Sequence, residues 1–463
     1  MTNLSDLFPA GAGKQVSFVA SGTLSNGQAV GLTSDGKVKA MSAAIGAEDI
    51  YSAAATYPAY NSIYDSNAQK VVVPYDSGGA GKAVVATITG TSVSHGTAVA
   101  TGTGSAGYIS GAFDSSTNNV VIACQDYNNS QYGTVTIGTV SGTSITFGTP
   151  VVFNSDKTYY TATVFDSSNN RIVIGYRSGQ LTGYGTAIVG TVSGTAGTAT
   201  ISFGSATAFD GTGIINYISG AFDSNSNKVV FCYQDEPASL NGTAIVGTVT
   251  TSPDAISFGS SAEFLSTDIT STSTAFDSNS NKIVVVYRDD NTLYGNASVG
   301  TVSGTSITFG TAVNFSTTHG QTPSIAFDTS ANQVIIVYRN AGASSIGQVI
   351  NGTVSGTSIT FGTAVNFSSQ PVNYALSPAY DANANKTLIS FQQNPNDYGT
   401  SVVFDLASFA ASNFIGITDA AISDTASGNV TIKGGISTNV SSLTPASDYY
   451  VQDDGTISTV SSS

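Results

Sequence analysis

The sequence predicts an all-β protein built around a seven-bladed β-propeller with four-stranded blades. Three observations lead to this prediction: a composition that favours strands and turns, a phrase of about fifty residues that occurs seven times, and a division of each copy into four strand-like segments. We also expect the ring to be closed by an N-terminal strand, and the two flanks of the chain to form a small β-domain.

Composition and charge narrow the class of protein. The 463 residues include 50 glycines and only 9% charged residues, and the formal net charge is −15. β-branched and aromatic residues favour strands, and Gly supplies turns. With 14 Lys plus Arg in total, no basic patch for a phosphate backbone is expected, so nucleic acid is excluded as a partner.

The N-terminal sequence and the hydropathy predict a soluble protein. Residues 1–18 have neither the basic start nor the apolar run of a secretory signal. No stretch reaches the roughly 18 apolar residues of a membrane span, so membrane insertion is not expected. We therefore predict a protein that does not use the usual export route.

One repeated phrase sets the period. In each copy a short apolar run ends in Phe-Asp or Tyr-Asp, and the spacing between these aspartates is 49 to 57 residues. The string GTVSGTSITFGT occurs letter for letter at 138–149, 300–311 and 352–363, and is one segment of the same unit. The seven aspartates are Asp65, Asp114, Asp166, Asp223, Asp277, Asp328 and Asp381.

Each repeat contains four segments of strand character, called A to D below. Strand A ends in the aspartate, strand B is an apolar run such as KIVVVYR, strand C resembles YGTAIVGTVSG, and strand D resembles SITFGTAVNF. Uninterrupted Val/Ile runs in strand B indicate sheets covered on both faces, as in propeller blades packed face to face. A β-solenoid is the alternative, but its repeats are usually nearer to about 20–30 residues.

The ends of the array predict its closure and the domain boundaries. The seventh repeat has strands A, B and C but no SITFGT-like strand D, whereas residues 43–52 occupy the position of a strand D before the first repeat. Pairing of the two ends would complete the last blade and hide open strand edges. The predicted propeller spans 43–411, and residues 1–42 and 412–463 are the two parts of a small anchoring β-domain.

The repeated Asp has two interpretations. The spelling D-x-N-x-N at 223–227 and 277–281 resembles the start of a calcium loop, but the Gly at the sixth position and the downstream acidic ligand are missing. Asp and Asn also close hairpin turns through backbone amides. We favour the turn, predict neither a metal nor a cofactor, and keep calcium as the alternative.

Two further features predict core residues. Cys124 and Cys232 lie inside apolar strand patterns and cannot form a disulfide framework, so we expect buried thiols. Cys124 takes the place of an aromatic residue that stands ten residues after each repeated Asp, and this position is expected to pack between blades. The aromatic residues there are Tyr75, Tyr176, Tyr233, Tyr287, Tyr338 and Phe391.

Binding residues are sought where the copies differ. The A–B and C–D turns change little, whereas the B–C loops and D–A connections vary in length and chemistry. Alternate connections of an antiparallel sheet emerge on one side, so one face is scaffold and the other is diversified. The candidates on the variable face are Asp126, Tyr127, Tyr132, Tyr159, Tyr160, Tyr217, Asp235, Asp289 and Tyr294.

These side chains suit a carbohydrate ligand. A Tyr ring stacks on a sugar ring, and Asp or Asn binds sugar hydroxyls. The alternative is that they are strand-end residues in a Tyr-rich protein. Arg177, Arg288 and Arg339 occupy one equivalent position in three repeats and join the candidate set, because convergence there would bind a carboxylate.

Nothing in the sequence requires catalysis. The two histidines, His95 and His319, belong to different repeats, and no Ser/His/Asp grouping or metal-ligand spacing is present. Sialidases use an arginine triad on a propeller, but this chain has no S-x-D-x-G-x-T/W box. We predict a non-enzyme without catalytic residues. A sialidase-like or other polysaccharide-cleaving propeller with paired carboxylates is the alternative.

The termini and repeats resemble those of phage proteins. The opening LSDLFPAGAGKQVSF, the closing FIGITDAAISDTASGNV, and the repeated FDSNSNK and GTVSGTSITFGT look like segments of structural proteins of marine tailed bacteriophages, including those of cyanobacteria. The resemblance implies a virion component, such as a tail fibre, spike or capsid-surface protein, assembled in the host cytoplasm. It implies other virion proteins and a host-surface glycan as partners, is compatible with a homo-oligomer, and leaves a purely architectural capsid decoration protein as a further alternative.

Overall fold

The chain consists of two compact units. The computed structural model describes residues 15–21, 24–27, 29–32, 36–40, 43–59, 61–179, 183–211, 213–406, 414–432, 450–451 and 457–458. One unit comprises Met1–Ala44 with Asp405–Ser463, and the other comprises Ile45–Phe404. The division therefore falls after residues 44 and 404, where the sequence analysis placed it after 42 and 411.

The described residues are all-β. A 3-10 turn at Ala341–Ala343 is the only helical element among them, and they contain no helix that is long and apolar enough to cross a membrane. The first strands in chain order are β1 (Gln15–Val19), β2 (Ala29–Leu32), β3 (Val38–Ala40), β4 (Ala44–Ile45) and β5 (Asp49–Pro58). Repeat 1 contains β6 (Ile63–Asp65), β7 (Lys70–Ser77), β8 (Gly81–Thr89), β9 (Ser92–His95) and β10 (Val99–Ala100).

Repeats 2 to 4 follow the same order of elements. Repeat 2 begins with β11 (Ala106–Asp114), β12 (Asn119–Asp126), β13 (Tyr132–Ser141) and β14 (Ser144–Phe147), and β15 (Val151–Asp166) leads into repeat 3. Repeat 3 continues with β16 (Arg171–Ser178), β17 (Gly185–Ser193), β18 (Thr200–Phe203) and β19 (Thr207–Asp210). Repeat 4 has β20 (Ile215–Asp223), β21 (Lys228–Asp235), β22 (Asn241–Thr251) and β23 (Asp254–Phe258), and β24 (Ala262–Asp277) leads into repeat 5.

The remaining strands complete repeats 5 to 7 and the C-terminal flank. Repeat 5 continues with β25 (Lys282–Asp289), β26 (Gly295–Ser303), β27 (Ser306–Phe309) and β28 (Val313–Ser316). Repeat 6 has β29 (Gly320–Asp328), β30 (Gln333–Asn340), β31 (Ile346–Ser355) and β32 (Ser358–Phe361), and β33 (Val365–Asp381) leads into repeat 7. The last strands are β34 (Lys386–Gln393), β35 (Tyr398–Asp405), β36 (Phe414–Thr418), β37 (Ser427–Ile432), β38 (Tyr450–Val451) and β39 (Ile457–Ser458).

Strands from both flanks share one sheet in the smaller unit. Its order is β1-β37-β36-β2-β3, with β1 antiparallel to β37 and β2 antiparallel to β36. Apolar side chains from both flanks, including Val30 and Val430, are fully buried in one cluster. Neither flank therefore completes this core alone.

In the larger unit repeats 1 to 6 form antiparallel sheets in the order A, B, C, D, and in repeat 7 β5 pairs with strand C where a strand D would lie. In repeat 4, β21 pairs with β20 on one side and with β22 on the other. Residues 229–234 of β21 are all buried, so strand B is covered on both faces, as its continuous apolar run predicted.

Strand D is interrupted, in contrast to the single segment that we predicted. In repeat 2, β14 and the start of β15 both pair with β13, and the gap between them begins at Gly148. A Cβ atom at Gly148 would lie 2.1 Å from the backbone oxygen of Ala199 in the next repeat. The strand breaks here because the neighbouring turn presses on the backbone.

The same close approach explains the recurrence of GTVSGTSITFGT. The Phe-Gly glycine of strand D touches the C–D turn of the following repeat, as Gly259 touches Thr305 and Gly310 touches Thr357. A Cβ atom at either glycine would lie 1.9 Å from the Thr oxygen. In the copies at 138–149 and 300–311, the string therefore supplies one surface to each of two contacts, the turn to the preceding repeat and the glycine to the following one, and both surfaces are constrained.

Aromatic side chains join neighbouring repeats. A ring from strand D of one repeat packs on the ring from strand B of the next, with centroids 5.0 to 5.4 Å apart. The predicted packing role of the strand B aromatic position is therefore confirmed. The pairs are Phe153–Tyr176, Phe209–Tyr233, Phe264–Tyr287, Phe315–Tyr338 and Phe367–Phe391.

Each strand D ring packs against a glycine at the start of strand C. A Cβ atom at Gly242 would lie 2.2 Å from the ring of Phe264, and one at Gly295 would lie 2.3 Å from the ring of Phe315. The glycine in the recurrent Tyr-Gly or Asn-Gly at the start of strand C is thus required, because the side chain of any other residue would displace the ring that packs on the next repeat.

The first and last repeats make the same kinds of contact. Strand β5 pairs with β35 of repeat 7 and then with β7 of repeat 1. Tyr51 of β5 packs on Tyr75 of repeat 1 at 5.1 Å and lies over Gly399 of repeat 7. One hydrophobic cluster contains Val71 and Tyr75 together with Leu388 and other residues of repeat 7.

The predicted turn role of the repeated Asp is confirmed. In all seven repeats its Oδ1 accepts hydrogen bonds from the amides of the second and third following residues, at 2.8 to 3.3 Å. The Asn four residues on adopts a left-handed conformation in repeats 2 to 7, with φ between 52° and 55°. Asp and Asn thus close each A–B hairpin.

Both cysteines are free and buried, as expected. Burial raises the pKa of the Cys124 and Cys232 thiols to about 12, so both stay protonated at neutral pH.

Repeat 1 has a polar ring at a strand D position where repeats 2 to 6 have an apolar one. His95 stands where other repeats have the Phe of Ser-Ile-Thr-Phe, and packs on Tyr51 at 5.4 Å. Its Nδ1 lies 2.6 Å from Oδ2 of Asp49, while Nε2 is buried without a hydrogen-bond partner among the described residues. Burial lowers the pKa of His95 more than Asp49 raises it.

Replacing Asp277 by Ala should lower the free energy of unfolding by about 2–3 kcal/mol, because two turn amides lose the charged acceptor that a buried Asp provides. Asp277→Asn keeps an acceptor oxygen and should cost about 1 kcal/mol. Denaturant unfolding measures both, with Ser278→Ala in the same turn as the control. Equal, near-zero losses for both Asp277 variants would contradict the turn role.

Acid should weaken the contact around His95. A folded pKa below the unfolded value gives a stabilising contribution that is present above about pH 6.5 and is lost as the pH falls toward the folded pKa. The titratable groups that face the ring are Asp49 and Tyr51. Between pH 7.5 and pH 5.5 the melting temperature of wild type should fall more than that of His95→Phe.

His319→Asn is the control for this experiment, and should keep the full acid sensitivity. Parallel pH profiles for wild type and His95→Phe would show that His95 is not the responsible group.

Candidate functional site

A cavity of about 690 Å³ is lined by strand A of every repeat. It is surrounded chiefly by Ser and Thr hydroxyls, backbone and a few rings. One lining residue from each repeat, in order, is Asn61, Ser110, Tyr160, Ser219, Ser273, Ser324 and Pro378.

Hydroxyl groups link the inner strands of neighbouring repeats. The Oγ of Ser110 lies 2.9 Å from Oγ1 of Thr161 and 2.8 Å from Oγ1 of Thr163. The Oγ atoms of Ser62 and Ser377, from the first and last repeats, are 2.8 Å apart. The cavity wall therefore carries hydroxyls that are hydrogen-bonded between repeats, beside apolar residues such as Ile218 and Leu376.

Strand A carries a bulge in repeats 2 to 6. Its register with strand B shifts within each of these strands, and a non-glycine residue with positive φ stands in the shift. Such a conformation is uncommon for these residue types and costs energy unless its surroundings fix it. The residues are Tyr108, Tyr160, Tyr217, Ser271 and Thr322, with φ between 45° and 58°.

Neighbouring repeats hold the bulges in place. The hydroxyl of Thr161 donates a hydrogen bond to the backbone oxygen of Tyr108, and the hydroxyl of Thr272 donates one to that of Tyr217. A bulge redirects side chains relative to a regular strand. Three consecutive repeats thus present a tyrosine from an equivalent, strained position.

Five tyrosines form a continuous group, which we call the tyrosine arc: Tyr108, Tyr127, Tyr159, Tyr160 and Tyr217. The Tyr108 ring lies 4.7 Å from that of Tyr160 and 5.9 Å from that of Tyr159, and the Tyr160 ring lies 5.2 Å from that of Tyr217. Tyr127, which is 48% exposed, covers Gly107 next to Tyr108. Tyr160 and Tyr217 line the cavity, so the arc extends from its wall to the surface.

Arg177 lies against the arc. Its guanidinium carbon is 4.3 Å from the ring centroid of Tyr159 and 5.2 Å from that of Tyr160. Its Nη1 donates a hydrogen bond to Oδ1 of Asn216. A cation over these ring faces is attracted by their negative quadrupole.

A chain of hydrogen bonds continues from Arg177 into repeat 5. Nδ2 of Asn216 donates to Oε1 of Gln234 at 2.9 Å, and Nε2 of Gln234 donates to Oδ1 of Asp268 at 3.2 Å. Burial and the Asp290 carboxylate raise the pKa of Asp268. The position of Arg177 is thus set by residues of repeats 4 and 5.

Burial and neighbouring groups raise the pKa of three tyrosines of the arc. The pKa of Tyr160 is raised by burial and then by Tyr217 and Tyr108, and that of Tyr217 by burial and then by Asp290. The pKa of Tyr127 is likewise raised by burial. These three hydroxyls therefore remain protonated at neutral pH and can donate hydrogen bonds.

The structure brings half of the predicted site residues together. Tyr160, Tyr217 and Arg288 line the cavity, and Tyr127, Tyr159 and Arg177 belong to the arc or contact it. The predicted residues outside the cavity lining and the arc are Asp126, Tyr132, Asp235, Asp289, Tyr294 and Arg339.

The three predicted acids begin B–C loops and bind the backbone there. Oδ1 of Asp126 accepts from the amide of Asn128 at 3.1 Å, and Oδ1 of Asp289 accepts from the amide of Asn291 at 2.9 Å. Asp235 bonds a loop amide too, and its pKa is raised by burial and then by Asp210. These contacts stabilise the loops.

The three predicted arginines have different partners. Nε of Arg288 is 3.0 Å from Oδ1 of Asp290, Arg339 donates to Oε1 of Gln321, and Arg177 donates to Asn216. Equivalent sequence positions thus have unequal surroundings.

Sequence reasoning missed Tyr108 and Asn216. Tyr108 stands six residues before its repeat Asp, as do Tyr160 and Tyr217, and this fixed offset was a usable signal. Asn216 had no such signal, because its role depends on Arg177 in the preceding repeat. Among the described residues, no group of three or more His, Cys, Asp or Glu is arranged to hold a metal ion.

Comparison with known proteins gives a likeness of fold alone. No family model matches the sequence, and no curated protein matches it. Trypanosoma rangeli sialidase in complex with sialic acid is 13% identical with a TM-score of 0.40, and the match covers 67% of this chain and 55% of that chain. This chain therefore spans about half of the sialidase's length. The Dos1 propeller is 11% identical with a TM-score of 0.46, and the match covers 78% of this chain and 95% of that chain.

Proposed function

We propose that this protein is a non-enzymatic glycan-binding β-propeller whose tyrosine arc contacts the sugar. The single observation that supports this most is the strained tyrosine in three consecutive repeats, Tyr108, Tyr160 and Tyr217. Strained residues persist where the surrounding structure fixes them, and they concentrate at binding sites.

The chemistry of the arc suits a carbohydrate. Its rings are tilted against one another, so they offer several differently oriented apolar surfaces for sugar rings. The adjoining cavity wall offers hydroxyls, such as those of Thr161 and Ser219, to sugar hydroxyls. A volume of about 690 Å³ is within the usual range for small-molecule pockets.

We assign binding and not catalysis to this site. The groups that meet at the arc are tyrosines, an amide and a guanidinium. Of the carboxylates in the adjoining network, Asp268 accepts from Gln234, and Asp290 accepts from Thr270 at 3.0 Å beside Arg288. Most glycosidases use two carboxyl groups that act on one bond, and these two carboxylates are instead engaged by Gln234, Thr270 and Arg288.

We also propose that the seven repeats form a closed seven-bladed ring fastened by the N-terminal strand. Three observations support it: β5 pairs with both β35 and β7, Tyr51 makes the same ring contact as the strand D aromatics, and the cavity is lined by strand A of all seven repeats.

The virion location stays a prediction from the resemblance of the terminal segments. In that setting the smaller unit would anchor the protein to other virion proteins, and the arc would bind a glycan of the host surface. A purely architectural role would leave the arc without a ligand.

Tyr159→Ala combined with Tyr127→Ala should weaken glycan binding at least about tenfold, because two stacking surfaces are lost. Tyr160 is kept in this variant because it packs on the core between repeats 3 and 4. The experiment is a glycan array with the full chain, followed by calorimetric titration of the glycans that bind. Tyr57→Ala, at a Tyr that is 68% exposed and outside the arc, is the control and should bind as wild type.

Unchanged affinity in the double variant, with an unchanged melting temperature, would remove the arc from the site. Release of reducing ends from a bound polysaccharide would establish the enzymatic alternative, and an array without any hit would favour the architectural one.

Tyr51→Ala should destabilise the larger unit as much as Phe367→Ala does, if both rings bridge neighbouring blades. We expect about 3–5 kcal/mol for each, lost in one cooperative transition followed by denaturant unfolding. If Tyr51→Ala left the transition unchanged while Phe367→Ala lowered it, the proposed closure would be wrong.

A further inference from the structure

We propose that the glycan bound by the tyrosine arc is acidic, and that Arg177 is the residue that recognises its negative charge. This inference rests on the proposed glycan-binding function and names its ligand class: a sugar that carries a carboxylate or a sulfate. The two groups share the chemistry that matters here, because each offers two or more oxygens to one guanidinium.

Arg177 differs from two other arginines in having no acidic partner. Arg171 is paired with Asp254 at 2.7 Å, and Arg288 with Asp290 at 3.0 Å. Arg177 is bonded instead to a neutral amide, that of Asn216, and no carboxylate lies at ion-pair distance from it among the described residues. In a protein with a net charge of −15, a partly buried cation without a counter-charge is unusual.

The guanidinium keeps donors for a ligand. It has five N–H groups, and only Nη1 has a protein acceptor among the described residues. The guanidinium carbon lies 4.3 Å from the ring centroid of Tyr159, and the N–H groups other than the one bonded to Asn216 are the donors that we assign to an anion. An oxyanion bound there would lie beside the rings that stack on the sugar.

The position of this cation is fixed in advance. The rings of Tyr159 and Tyr160 lie against it, and Asn216 accepts a hydrogen bond from Nη1. Asn216 is itself held by Gln234, whose Nε2 also donates to the backbone oxygen of Ile269. A guanidinium held by packing and hydrogen bonds loses little freedom on binding, which favours affinity.

The other two arginines that were predicted to converge with Arg177 have partners of their own. Arg288 is neutralised by Asp290, and Arg339 is bonded to Gln321. We therefore assign charge recognition to one arginine rather than to three that converge. Selectivity for an acidic sugar should then depend on position 177 alone.

The test compares matched acidic and neutral glycans. The probes are an oligogalacturonate, the same oligosaccharide with its carboxylates reduced to neutral hydroxymethyl groups, and a sulfated galactan oligosaccharide. Full-chain wild type should bind at least one acidic probe about tenfold or more tightly than the neutral one. Arg177→Gln should abolish the preference, so that the acidic probe binds no more tightly than the neutral probe does.

Two further variants serve as controls. Arg177→Lys keeps the charge but not the paired donors, and should retain part of the preference. Arg171→Gln makes the same change at an arginine paired elsewhere, and should retain all of it. Melting temperatures identify any variant that fails to fold.

Each outcome is decisive. Equal wild-type affinities for acidic and neutral probes, or a full preference in Arg177→Gln, would overturn this inference while leaving the proposed function intact. Binding to none of the three probes would overturn the inference, and only an array without any hit would overturn the proposed function as well. Preference for carboxylate or for sulfate identifies the source of the charge.

Discussion

The contact between an aromatic ring of strand D and the strand B ring of the following repeat is the interaction on which the rest of the structure depends. Sheets that are covered on both faces have no core of their own, so each repeat is stabilised mainly by its neighbours. The glycine that opens strand C brings the ring close to its own sheet, and the ring then fills the space between two sheets. The same geometry recurs at Tyr51 and Tyr75, between the ends of the array.

Strand A departs from regular geometry within this array of packed sheets. The aromatic contacts between repeats come from strands D and B, and strand A bulges in repeats 2 and 4 where a threonine hydroxyl of the next repeat donates a hydrogen bond to its backbone. Repeats 2, 3 and 4 place Tyr at the bulge, whereas repeats 5 and 6 place Ser271 and Thr322 there. The arc is therefore a local variation on a repeated backbone, and it gives the cavity one aromatic side.

Polar groups mark two places where the repeats are not equivalent. In repeat 1 the buried imidazole of His95, beside Asp49, stands where other repeats have a phenylalanine ring. We therefore expect this boundary between repeats to be sensitive to protonation. Arg177 lies among tyrosines and is bonded to the amide of Asn216, whereas Arg288 is paired with the carboxylate of Asp290. Both differences arise from one or two substitutions within an otherwise repeated pattern, and each changes the electrostatics of a single boundary between repeats.

The sequence by itself determined what depends on near neighbours in the chain: seven units, four strands in each, the A–B turns closed by Asp, and the buried Tyr of strand B. These features rest on alternation, spacing and hydrogen bonds across two or three residues. Only the tertiary structure decided the break in strand D, the grouping of Tyr108 with Tyr159 and Tyr160, and the partner of Arg177. The reason is physical: each of these depends on atoms from the adjacent repeat, about forty to fifty residues away in the chain, and their approach is set by how two sheets pack.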